Sequence, residues 1–210
     1  MGIQERRSRE REARKYAIVS AATELFTDRD YNTTSMQDIA DRSELNIATL
    51  YYYFSSKEIL YLAVLVRAIE LILPELESVS SGNGDPLQRL QRISLTYCRF
   101  IEAHPEAQAI IHCLQSQTLA PANEEEQALV ERAYTGTRHA MGTVARVIAD
   151  GVDQGLLRDL DIRETTALFW AGLNGVIQMA TNKGVFKEPL DGPLLDRWLD
   201  LLLGGLKATH

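Results

Sequence analysis

The stretch Thr33–Leu60, TTSMQDIADRSELNIATLYYYFSSKEIL, decides how the rest of the chain is read. Met36, Ile39 and Ala40 fall at i, i+3, i+4 and form one apolar face of a short helix. Ser35 followed by Asp38, or Thr34 followed by Gln37, gives that helix a capping-box start. A bend falls at Ser43-Glu44, with Leu45 turned inward. Asn46 is a good N-cap for a second helix, Ile47 to Phe54, whose Leu50 and Phe54 face the first. Two short helices sharing a small core across a tight turn form the helix-turn-helix shape, which sets its second helix in the DNA major groove.

Upstream, Ala17, Ile18, Ala21, Leu25 and Phe26 recur at helical spacing and predict one helix over Arg6 to Arg29. Its first two turns, rich in Arg and Glu, are read as a solvated helix start held by i,i+4 pairs, with a phosphate-contacting arm as the alternative. Downstream, Ser55 with Glu58 opens a helix over Ser56 to about Glu77, which Pro74 is expected to kink or end. Residues 78–85, SVSSGNGD, read as a loop. Asp85-Pro86 starts a helix to about His104, and Pro105 restarts one through Gln117. Asn123 with Glu124, Glu125 and Glu126 opens a long helix to about Gln154, where the acidic triplet is read as a solvated match to the helix dipole. Asp161 with Glu164 opens the next helix, which ends near Lys183-Gly184, and Asp191 opens the last, through Leu206. The fold class is all-α, with about nine helices and no sheet.

Composition bounds the function. At 210 residues, 45% hydrophobic and 24% charged, the chain is an ordinary globular protein able to bury a substantial core. The most apolar run, Leu60 to Leu73, is interrupted by Arg67 and Glu70, and the charged N-terminus has no apolar signal core, so no membrane is expected and the cytoplasm is the default. The net charge of −7 lies mostly in residues 61–210, with thirteen basic and nineteen acidic side chains. Residues 1–60 hold nine basic and ten acidic, a near-neutral reader that must depend on a few placed contacts and on being doubled.

The run IADRSELNIATLYYYFSSKEIL resembles the signature of the TetR family of bacterial transcriptional regulators, with Thr49-Leu50-Tyr51, Phe54 and Lys57-Glu58-x-Leu60 in the family's order and spacing. The family usually has Gly at the bend, where this chain has Glu44. The resemblance implies a helix-turn-helix domain over 1–56 and a helical effector-binding and dimerisation domain over 57–210. It implies base contacts at Gln37, Ile47, Ala48, Thr49 and Tyr51, and phosphate contacts at Thr34, Ser35, Tyr53 and Lys57. Asn46 stands with them at the start of the reading helix, and Tyr52 is read as core packing. The implied partners are double-stranded DNA carrying a palindromic operator, a small-molecule effector and a second copy of the chain, in a repressor released by its effector.

The effector cavity implied among the middle helices gives Tyr97, Phe100, His104, His112, Tyr134, Arg138, Phe169 and Asn174 as candidates, a mixture suited to a largely hydrophobic ligand. Residues 167–180, ALFWAGLNGVIQMA, are apolar around the whole helix and need cover on all sides. Together with the last helix they give Ala167, Trp170, Ala171, Gly175, Leu195, Trp198 and Leu202 as a dimer face. No nucleotide-, protease- or hydrolase-type motif occurs, so no enzyme is expected, and no cofactor. The spacing of Cys98, His104, His112 and Cys113 matches no zinc pattern, and the two thiols on apolar faces are read as inert rather than as a redox switch. Two other classes remain as alternatives, an all-α enzyme or carrier using the cavity, and a dimeric protein-binding adaptor.

Overall fold

A computed structural model describes residues 2–29, 33–108, 119–181 and 189–208. Its nine helices, among the described residues, are α1 (Ile3–Asp28), α2 (Met36–Arg42), α3 (Ile47–Tyr53), α4 (Lys57–Ser81), α5 (Pro86–Ala103), α6 (105–108), α7 (Glu124–Asp153), α8 (Ile162–Thr181) and α9 (Pro193–Leu206). The described residues form no strand beyond one isolated bridge between Leu157 and Lys207. The predicted continuation of α6 to Gln117 and the predicted end of α8 at Lys183-Gly184 lie outside the described residues.

Two compact units divide the chain. The first comprises Met1–Ile69 and His104–Tyr134, the second Glu70–Ala103 and Thr135–His210. In the first, α1, α2, α3 and the start of α4 close around Ile18, Ala22, Phe26, Met36, Ile39, Ala40, Leu50, Phe54, Ile59, Leu60 and Tyr61. The Phe26 and Tyr61 rings meet edge to face at 4.6 Å. Met36, Ile39 and Ala40 are all buried, as their spacing predicts.

In the second unit the core includes Leu90, Ile93, Cys98, Ile101, Val144, Val147, Ile148, Phe169, Leu173, Ile177, Leu195 and Leu199. Gly172 of α8 lets the Trp198 indole come within 2.7 Å of where a Cβ would stand, so α8 and α9 pack closely at that point. Asp85 and Asp161 cap α5 and α8 as expected, each accepting an N–H three residues on, from Gln88 at 2.9 Å and Glu164 at 2.8 Å.

Several boundaries depart from the sequence reading. Pro74 neither ends α4 nor starts a loop, for the helix continues to Ser81. A helical proline forfeits one backbone hydrogen bond, and here buried Ile72 and Leu76 on either side keep the turns packed. The serines expected in the loop stay helical by donating back to the Glu77 carbonyl, Ser80 at 3.0 Å and Ser81 at 2.6 Å. At the start of α4 the cap is Ser56, whose hydroxyl accepts the Ile59 N–H at 3.2 Å, rather than Ser55. The last helix is capped by Gly192 with Pro193 at its first turn, one residue after the predicted Asp191.

Candidate nucleic-acid interface

The reader is built from short-range chemistry. Ser35 and Asp38 form a reciprocal capping box, the Asp38 N–H donating to Ser35 Oγ at 3.1 Å and the Ser35 N–H to Asp38 Oδ2 at 2.8 Å. The Ser35 side chain, then its N–H, hold the Asp38 carboxyl below the usual carboxylate range, with Arg29 at 3.8 Å adding its charge. At the other end of α2, the Leu45 N–H reaches Ala40 O at 2.9 Å and the Glu44 N–H reaches Asp41 O at 3.2 Å. This pair of bonds is the Schellman motif, which requires a left-handed residue at the position of Glu44. Glu44 is there at φ 56°, the only non-glycine among the described residues with positive φ. Leu45 packs into the core that contains Ala40, completing the motif's hydrophobic contact.

The second helix starts at Asn46, whose Oδ1 accepts the Thr49 N–H at 2.7 Å and the Thr49 hydroxyl at 2.8 Å. Leu50 is fully buried and Phe54 nearly so, anchoring α3 on the core. Ala48 and Tyr51 are thereby turned outward, with Ile47 and Thr49 half-buried beside them. Gln37 is exposed on α2, but its Nε2 donates to Asp41 Oδ1 at 2.7 Å, a bond it must release to read an adenine edge with both amide atoms.

Three expectations change here. Thr34 is 1% exposed, so its side chain has no surface to offer a phosphate. Tyr52 is 71% exposed rather than core, its ring standing edge to face on Tyr53 at 5.2 Å. The α3 period explains this, since the face that Leu50 and Phe54 bury excludes position 52. The α1 start and the acidic triplet of α7 are not merely solvated, as Arg11 Nη2 meets Glu125 Oε2 at 2.8 Å and Lys15 pairs with the same carboxylate.

The effector candidates divide. Tyr97, Phe169 and Asn174 come together in the second unit, where the Tyr97 hydroxyl donates to Asn174 Oδ1 at 3.2 Å. Trp170 stands edge to face between Tyr97 at 5.1 Å and Phe169 at 5.8 Å, and its buried Nε1 has no hydrogen-bond partner among the described residues. Burial pushes the Tyr97 hydroxyl well above its ordinary pKa. Phe100 is buried in the same unit. Tyr134 lies at the surface, as does Arg138, which donates to Thr135 Oγ1 at 3.4 Å. His104 belongs to the first unit and faces Glu106 Oε1 at 3.3 Å, while His112 lies outside the described residues. A polar cleft of about 500 Å³ in the second unit is lined by Glu77, Ser80, Ser81, Arg89, Arg146 and Asp150, none of them a candidate from the sequence.

Of the predicted dimer face, Leu195 is 1% exposed and belongs to the chain's own core. The outward stripe of α8 is Leu168, Ala171, Gly175 and Met179, at i, i+3, i+7 and i+11, joined on α9 by Leu201. Ala167 is also exposed, and Trp170, Trp198 and Leu202 are half-buried. Cys98 is a buried free thiol, pushed up to about 12 by burial and by the Glu102 and Asp191 carboxylates, and Cys113 lies outside the described residues.

Residues 18–64, which span the capped bihelical reader, match the family described as bacterial regulatory proteins, tetR family. A crystal structure of a TetR/AcrR-family regulator from Thermobifida fusca is 27% identical, with a TM-score of 0.67, and the match covers 92% of this chain and 98% of that one. The chain carries the DNA-binding domain of the TetR family. It is a DNA-binding regulator of transcription. Among its relatives, the transcriptional activator FasR of Mycolicibacterium smegmatis is 27% identical over 79% of this chain and 85% of its own length. The regulator RutR of Escherichia coli K12 is 28% identical over 79% of this chain and 74% of its own. These TetR-family relatives are named as regulators of transcription, not as enzymes.

Sequence reasoning missed the partners of α7 in this TetR-type reader. Glu126, 5% exposed, accepts the Ser55 N–H at 2.9 Å and the Ser55 hydroxyl at 2.8 Å. The local signal was only the Asn123 cap, which accepts the Glu126 N–H at 2.9 Å. Nothing in the sequence ties Glu126 to a serine 71 residues away.

Proposed function

We propose that the chain acts as a homodimeric repressor on a palindromic operator, with residues 1–56 reading DNA and residues 57–210 dimerising and binding a small effector. The observation that carries the reading is α3, anchored inward by Leu50 and Phe54 and turning Ala48 and Tyr51 to solvent beside the Asn46 cap. Ala48 and Ile47 suit a thymine methyl, and Thr49, Tyr51 and Gln37 suit base edges, at about 1–3 kcal/mol of discrimination per good contact. Ser35, Tyr53 and Lys57 serve the phosphates, Lys57 from the first turn of α4. Doubling is supported by the exposed apolar stripe on α8 and by Leu201 on α9, which water covers poorly. Two readers related by a two-fold axis then meet half-sites about 34–36 Å apart.

Repression follows from occupancy of a promoter, and an effector relieves it only by binding the DNA-incompetent state more tightly. The aromatic group of Tyr97, Phe100 and Phe169, with Asn174 as the polar contact, favours a largely hydrophobic effector. Helix α4 contributes residues to both compact units and is the lever by which ligand binding changes the spacing of the two readers. Operation on chromosomal DNA implies the cytoplasm. The test is a duplex selection with the intact chain, followed by binding of the selected duplex by the Tyr51→Ala, Lys57→Ala double variant. A selected palindrome whose affinity falls by tenfold or more in the variant supports the assignment. Undiminished binding removes it.

A further inference from the structure

The joint between α3 and α4 is three residues long, and each is used differently. Phe54 is buried and its N–H closes α3 on Leu50 O at 3.0 Å. Ser56 caps α4. Ser55 serves neither helix, and both its polar groups go to Glu126, the N–H to Oε1 and the hydroxyl to Oε2. A third donor, the Ala122 N–H, reaches Glu126 Oε2 at 2.7 Å. Beside it, Glu125 takes Arg11 and Lys15 from α1. The Arg11 guanidinium in turn lies 5.8 Å from the Tyr52 ring centre and 6.0 Å from that of Tyr53, the last residues of α3. The first turn of α7 therefore holds the joint directly through Ser55 and reaches the end of the reading helix through Arg11.

A carboxylate present only to match the α7 dipole needs no partner outside its own helix, and exposed Glu124 already occupies that role. Glu126 is instead buried with three donors converging on it. Burial raises its pKa, but the bonds from Ala122 and Ser55 and the charge of Lys15 outweigh that and hold the carboxyl below its ordinary range, so it is ionised at neutral pH.

We propose that Glu126, with Glu125 beside it, is a positioning element for DNA reading: it fixes the angle of α3 by holding Ser55, without touching DNA itself. The proposal rests on the DNA-reading assignment above. Reading base edges requires α3 to be placed within a fraction of an ångström, whereas non-specific binding requires only charge near phosphates. Loss of the grip therefore lowers discrimination more than it lowers general affinity.

The experiment uses the full chain, a duplex selected by the wild type from a random pool, and a scrambled duplex of equal length. Both dissociation constants are measured for wild type, Glu126→Gln, Ser55→Ala and Ser55→Thr at a temperature where circular dichroism shows each folded. Glutamine keeps the shape but turns one acceptor into a donor facing the Ser55 or Ala122 donors. The expected result is a fall of tenfold or more in the selected-to-scrambled affinity ratio for Glu126→Gln, a smaller fall for Ser55→Ala, and a near wild-type ratio for Ser55→Thr, which keeps the hydroxyl. A purely structural role lowers both affinities by the folded fraction and leaves the ratio unchanged, which overturns the proposal. If Glu126→Gln does not fold, an unchanged ratio in Ser55→Ala overturns it equally. A wild-type chain that selects no duplex fails earlier and takes the DNA-reading assignment with it.

Discussion

Replacing Glu44 with glycine should make the protein more stable, and the size of the gain follows from one dihedral angle. Glu44 sits at φ 56° in the C-terminal turn of α2, where its N–H and that of Leu45 close the Schellman bonds to Asp41 O and Ala40 O. An L residue in the left-handed region costs about 1–2 kcal/mol from the contact of its Cβ with the backbone. Glycine avoids that contact but loses about 0.4–1 kcal/mol because its unfolded chain is freer. The difference leaves Glu44→Gly more stable by up to about 1.6 kcal/mol, with a midpoint of about 0.8 kcal/mol, at a rise in Tm of about 2–4 °C per kcal/mol for a chain of this size. Glu44 is exposed, so no packing is lost in the exchange. Glu44→Ala is the control, since it removes the carboxylate and keeps the Cβ. Thermal melts of the three proteins at one pH and salt concentration decide the matter. A Glu44→Gly Tm equal to or below that of Glu44→Ala would show that the turn carries no such strain and would refute the reasoning.

Other perturbations test other parts of the structure. Leu50→Ala empties a fully buried site in the reader and should cost about 2–5 kcal/mol in urea denaturation, whereas Tyr52→Ala, at an exposed position, should cost under about 0.5 kcal/mol. Lys57→Ala should weaken operator and scrambled duplexes alike and reduce the salt slope of log Kd by about 1 per protomer, measured by anisotropy across a salt series. Leu201→Glu places a charge on the exposed apolar face of α9 and should convert a dimer to a monomer in light scattering, while a dimer that persists places the interface elsewhere. Native Cys98 should resist alkylation at pH 8 and react once unfolded in denaturant. Because its folded pKa is raised to about 12, Cys98 should also contribute to a loss of stability as pH climbs through 9 toward 12, where the unfolded thiol ionises and the buried one does not.

The sequence by itself determined whatever depends on neighbours within a turn or two. The capping pairs at Ser35–Asp38, Asn46, Asp85 and Asp161, the apolar faces of α2 and α3, and the strained bend at Glu44 are all set by contacts spanning five residues or fewer. Such contacts form wherever the local sequence goes, so periodicity and cap chemistry reveal them. Only the tertiary structure decided which of two similar residues does a job that depends on distant partners. It chose Ser56 over Ser55 as the α4 cap because Ser55 is claimed by Glu126. It sent Leu195 into the core and left Leu168 and Leu201 at the surface, where composition alone could not rank the leucines of α8 and α9. It also carried α4 past Pro74, because the burial of Ile72 and Leu76 outweighs one missing hydrogen bond. In each case the deciding energy is burial or a hydrogen bond between groups far apart in the chain, and that energy exists only once the fold has brought them together.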